Sequence, residues 1–134
     1  MFGALDISTS ALVAQRTRLN VISANLANID SVEAPDGSYA PYRRRVPIFA
    51  AGDPASGSAQ GVHVREIELD MSDFRARHEP GHKFADADGY VRYPNIDSTT
   101  ELVNALEASR AYEANITAVE ATKSMMNAAL QILA

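Results

Sequence analysis

The sequence predicts a mainly α fold with a small β-rich insert, two long terminal helices packing as a coiled-coil-like pair around central short strands and hairpins. Three observations carry this. Leu5, Leu12, Leu19 and Leu26 recur every seven residues near the start. Residues 98–133 contain neither glycine nor proline. Every proline, and every glycine except Gly3, lies between Pro35 and Pro94. The expected division is a helical part formed by 1–31 and 98–134, and an insert at 32–97. At 134 residues one domain is the default.

The first element runs from Leu5 to Ile29. Ile22 and Ile29 fall three residues after Leu19 and Leu26, so a heptad seam forms toward the C-terminal half. At 1.5 Å per residue the helix is roughly 40 Å long. Asn25 and Asn28 stand on one face near its end. Asparagine is a poor helix-interior residue because its amide competes for backbone hydrogen bonds. Two readings are open: polar bonds to backbone or to a neighbouring helix that fix register, or helix capping alone.

The insert opens with the turn chemistry of "EAPDGSYAP". "YRRRVPIF" (42–49) and "GVHVREIELD" (61–70) lean toward strand, with a loop or hairpin tip at 50–61 between them. "DADGYVRY" (86–93) combines an Asp-Gly turn with a β-prone run. In the last element Ser98 and Glu101 match a capping box. Leu102, Ile116 and Leu130 share one heptad phase. Ala105, Tyr112, Val119, Met126 and Leu133 fill the complementary one. A lone pair of such narrow seams buries little, which points to partners, several copies of the chain or of its relatives. The expected assembly face is Leu5, Leu12, Leu19, Ile22, Leu26, Ile29, Leu102, Tyr112, Ile116, Val119, Met126, Leu130 and Leu133.

The totals exclude several chemistries. A formal charge of −5 argues against a nucleic-acid binder. With no cysteine there is no disulfide, thiol nucleophile or cysteine metal site. No apolar run is long enough to span a bilayer. Asp6, Ser8, Thr9 and Ser10 interrupt the N-terminal apolar run, so no cleaved signal peptide is expected.

"HEPGH" (78–82) matches the zinc-protease pattern letter for letter. That pattern needs a helix that puts both histidines on one face, with the glutamate as general base. Pro80 and Gly81 oppose a helix. A turn with exposed His78 and His82 is the better reading. "DADG" fails as a calcium loop, since taking Gly89 as the sixth position puts Phe84 at the first. Arg43, Arg44 and Arg45 alternate faces on a strand and present no common phosphate patch; a solvated or inter-subunit salt-bridging edge fits them better. Lys123 sits at a seam position, as a snorkelling or register-setting residue.

Three segments share a pattern with a known family: "SALVAQRTRLNVISANLANIDSVEAPDGSYAPYRR", "EPGHKFADADGYVRYPNID" and "ELVNALEASRAYEANITAVEATKSMM". Together they span most of the chain, which resembles the bacterial flagellar rod and hook protein family, at the C type of the proximal rod. "ANLANIDS", with Asn25 and Asn28, carries the signature of the whole family. "PDG" followed by "YR", and "ADADGYVRYPNID", match the C type. Lys83 departs from the proline common there. The resemblance implies a structural subunit without catalysis, cofactor or small-molecule substrate. It implies export by the flagellar type III apparatus without a cleaved signal, and assembly across the periplasmic space into a hollow drive shaft. That shaft transmits torque and forms part of the export channel. The implied partners are further copies, the B and F types of the proximal rod, the G type of the distal rod, and the rod–export-gate adaptor. Two other classes fit parts of the sequence: a coiled-coil adaptor, and a small zinc hydrolase using His78, Glu79 and His82.

Overall fold

A computed structural model describes residues 2–54 and 57–133. Its elements are α1 (Phe2–Ala27), β1 (Arg45–Asp53), β2 (Ser58–Leu69), β3 (Arg75–His78), β4 (Tyr90–Tyr93) and α2 (Ser98–Leu133). The fold is two long helices with a small central region of short antiparallel strands. Asn25 meets Glu101 and Arg18 meets Glu107, so the helices run antiparallel. Met1, Ala134 and the hairpin-tip residues 55 and 56 lie outside the described residues.

The centre of the helix seam differs from the leucine heptad. Ala14, Val21, Ile22 and Asn25 are buried on α1, and Glu101, Ala108 and Thr122 on α2. Leu5, Leu12, Leu19 and Leu26 are half-buried. At about 100° per residue the leucine row lies about a third of a turn round α1 from that centre. Ala14 and Ala108 share the middle with larger and polar side chains, and the leucines close one flank.

α1 stops at Ala27, two residues short of the periodic pattern. Asn28 is the reason. Its side-chain amide donates to the Ala24 carbonyl at 2.8 Å, and its backbone N–H is shared between the Ala24 and Asn25 carbonyls. Ile29 N–H then bonds Leu26 O and Ser31 N–H bonds Asn28 O, a tighter i→i+3 pattern that ends the helix. The start of α2 also shifts. Asp97, not Ser98, is the N-cap: its Oδ1 accepts the Thr100 N–H at 2.8 Å. That bond holds the Asp97 carboxyl below its usual value. Glu101 is therefore not the closing half of a capping box, and its carboxylate points elsewhere.

β1 and β2 form one long hairpin, with a bulge beside Ile48 and Phe49. Of the two readings of 50–61, a loop or a hairpin tip, the hairpin holds, but most of the span is strand because pairing continues to Asp53↔Ser58. The hairpin lies on α1: Ser10 Oγ accepts the Val62 N–H at 3.1 Å. Gly61 permits this approach, since a Cβ there would stand 2.7 Å from Ser10 Oγ, and its φ is +94°. β3 had no signal in the sequence, being four exposed, mostly charged residues. It pairs with β4. Under this ribbon lies a small core of Val32, Val91 and Tyr93 with Phe84 and Ala85. Tyr39 stacks on Phe84 with ring centroids 4.9 Å apart. Its hydroxyl accepts the Arg92 N–H at 2.8 Å and donates to the Arg92 carbonyl at 3.1 Å.

Candidate functional site: a buried polar hub and exposed helix faces

The central feature is a polar cluster where α1, β1 and α2 meet. Asn25, 1% exposed, answers the backbone of Arg45 twice. Its Nδ2 donates to Arg45 O and its Oδ1 accepts Arg45 N–H, both at 2.9 Å. The same Nδ2 lies 3.2 Å from Glu101 Oε2. Glu101 is also 1% exposed. A carboxylate at that depth needs a cation, and Arg44 Nε supplies one 2.7 Å from Oε1. Arg44 reaches Asp70 on its other side, at 3.5 Å. The Ser72 backbone N–H, with lesser help from the Ser72 hydroxyl and Arg44, holds the Asp70 carboxyl below its ordinary range. Asn95 closes the cluster, accepting the Arg44 N–H and donating to Asp70 O and Ser72 Oγ.

Both readings of the asparagine pair thus have a counterpart, one at each residue. Asn25 ties α1 to a strand and to α2, while Asn28 caps its own helix. The three arginines have partners within the subunit, Arg43 and Arg44 half-buried and Arg45 exposed. Arg43 lies over the Phe74 ring at 3.8 Å, Arg44 enters the hub, and Arg45 faces the Tyr42 ring at 5.5 Å. Sequence reasoning missed Glu101 and Arg44 as a pair. The available signal was an acid on the otherwise apolar seam face of α2.

The residues expected at an assembly face divide in two. Ile22 is buried in the seam, and Ile29, Tyr112, Val119 and Met126 are half-buried, as are Leu5, Leu12, Leu19 and Leu26. Leu102, Ile116, Leu130 and Leu133 are exposed, at 56%, 37%, 62% and 84%. Val103 and Leu106 join them.

His78 to His82 is a strand end and a turn. His78 closes β3 and packs edge-on to Tyr90, while His82 Nδ1 accepts the Phe84 N–H at 3.2 Å. Glu79 is engaged by the Tyr93 hydroxyl at 2.7 Å and by Arg77 at 3.4 Å. The Tyr93 bond holds the Glu79 carboxyl low and pushes the Tyr93 phenol up. Among the described residues no group of three or more His, Asp or Glu side chains could hold a metal.

A chain whose buried charged site at Glu101 is internally satisfied, and which leaves large apolar side chains exposed on both helices, is a subunit suited to packing against others. The comparisons agree. The family model "Flagella basal body rod protein" matches residues 5–33, and "Flagellar basal body rod FlgEFG protein C-terminal" matches 87–132. The chain is 48% identical over 122 residues to the flagellar basal-body rod protein FlgC of Salmonella typhimurium, covering 90% of this chain and 89% of that protein. It is 46% identical over 121 residues to that of Yersinia enterocolitica, with the same coverage. Against that of Bacillus subtilis it is 42% identical over 145 residues, covering 98% and 97%. The chain belongs to the FlgC family of flagellar basal-body rod proteins.

Proposed function

We propose that this chain is a structural subunit of the flagellar proximal rod, exported without a cleaved signal and polymerised across the periplasmic space into the hollow, torque-transmitting shaft. It acts by packing, with no reaction of its own. Its neighbours are further copies and the other rod types, the B, F and G types and the export-gate adaptor among them. The assembly interface includes the outward faces of both helices.

The observation that carries this is the surface. The chain exposes 8657 Å². A compact chain of 14.4 kDa exposes about 6,800 Å². The excess of about 1,800 Å² is the size of a whole standard protein interface. The exposed side chains include Leu102, Val103, Leu106, Leu130, Ile132 and Leu133 of α2, apolar surface spread along the whole helix.

Leu102→Asp tests the reading. Leu102 is exposed in the single subunit, so the variant folds. In a packed helical layer the same change buries an unpaired charge in every copy. Cells carrying it should secrete the chain, build no rod and fail to swim. Normal rods and motility would remove Leu102 from the interface. Absence of the unaltered chain from purified basal bodies would refute the rod assignment itself.

A further inference from the structure

The helix seam does not stop where α1 stops. Antiparallel pairing that sets Arg18 beside Asn104 and Glu107 brings the start of α1 level with about residue 122 of α2. Thr122 is accordingly the last buried residue of α2. Met126, Leu130 and Leu133 continue the same stripe at i, i+4 and i+7. Met126 is half-buried, while Leu130 and Leu133 lie beyond the start of α1 and are 62% and 84% exposed. From Ser124 to Leu133 the free end carries no charge.

A second surface lacks its complement. Between the first half of α1 and the β1–β2 hairpin lies an open groove of about 790 Å³. Ile7, Val13, Val62 and Val64 give it apolar walls, with Asp6 at its rim. Ile7 and Val13 are 41% and 62% exposed. The groove runs along residues 3–17 of α1, about 20 Å. The free end of α2 is about 15 Å long.

We infer that the free end of α2 of one copy docks in the α1–hairpin groove of a second copy. The stripe on α2 already packs on α1 within one subunit, and its continuation presents the same spacing to another α1. Lys123, exposed and without an ion pair among the described residues, enters beside Asp6. Donor and acceptor surfaces are different parts of the molecule, so the contact is head-to-tail and adds copies without closing. The inference rests on the rod reading and specifies which faces meet.

The chain has no cysteine, so an introduced pair reports alone. Val13→Cys and Leu133→Cys are placed together in the full chain, expressed in cells lacking the native copy, and oxidised in isolated basal bodies. The expected result is a ladder of dimers, trimers and higher species on denaturing gels, collapsed by reductant, with monomer from either single variant. If Val13→Cys blocks rod building, Ile7→Cys paired with Met126→Cys replaces it, because both positions step back by about two turns and keep the same register. Rods that contain the doubly substituted chain but give no ladder would overturn the docking and leave the rod assignment standing. Dimers from Leu133→Cys alone would also overturn it, by showing a symmetric tail-to-tail contact.

Discussion

Arg44→Met removes the cation beside Glu101 and leaves a carboxylate that is 1% exposed without its charged partner. Removing one side of a buried ion pair costs about 3–5 kcal/mol. Two features of the hub favour the low end. Arg44 is itself 22% exposed, so water reaches part of the vacated space. Asn25 Nδ2 still donates to Glu101 at 3.2 Å. The expected loss is about 3 kcal/mol, or roughly 10 °C in melting temperature for a chain of this length. Arg44→Met with Glu101→Leu should return most of it, because an apolar pair of similar volume replaces a buried ion pair at little cost. The other members keep partners in that double variant: Asn25 retains both bonds to Arg45, and Asp70 retains Ser72. Thermal unfolding of the purified chain followed by far-ultraviolet circular dichroism measures both. If Arg44→Met melts within about 2 °C of the parent, or the double variant is less stable than Arg44→Met alone, Glu101 is not held by Arg44 and the hub is not a charge-paired site.

At the start of α2, the Thr100 N–H lowers the Asp97 carboxyl, so its contribution is complete above the unfolded value of 3.8 and fades as pH falls through the lower folded value. Acid unfolding below about pH 4 should be less steep in Asp97→Asn, and an unchanged acid limb would contradict the cap. Tyr93 is raised above 10.0 by its bond to Glu79, so its contribution holds below that pH and is lost as pH climbs through the higher folded value. Ultraviolet titration should show one late phenol, absent in Tyr93→Phe, which loses about 1 kcal/mol of stability. Gly61→Ala forces a Cβ to 2.7 Å from Ser10 Oγ at a positive φ. Hydrogen exchange at Val62 should accelerate about tenfold or more, and unchanged protection would mean that the hairpin does not rest on Ser10.

The helices were legible because periodicity and the absence of glycine and proline are local signals, read within one segment. The fine placement of their faces was not. Leucine every seven residues marks an apolar flank, yet Ala14, Asn25, Glu101 and Ala108 are among the residues that take the centre, small or polar side chains that no hydrophobicity count favours. Asn25 was conspicuous as a misfit in a helix. Its partners could not be named from the sequence, because Arg45 and Glu101 lie 20 and 76 positions away. Glu101 was further hidden by a local explanation that happened to fit: Ser98 and Glu101 have capping-box spacing, while Asp97 one residue earlier makes the actual cap. β3 left no trace, since Arg75 to His78 pair with Tyr90 to Tyr93 across a turn-rich segment and bury nothing of their own.

Two side chains described above each answer a backbone N–H and C=O of one residue as a neighbouring strand would. Asn25 does this to Arg45 in β1, and the Tyr39 hydroxyl does it to Arg92 in β4. Both two-stranded ribbons therefore have an outer edge partly blunted by a decoy. Exposed strand edges pair with other edges largely regardless of sequence. With those donors and acceptors occupied, strand addition loses a foothold at β1 and β4. Arg45 and Pro47 in β1 and Arg92 in β4 add charge and a missing donor to the same strands, and the chain gains protection from amyloid-like mispairing.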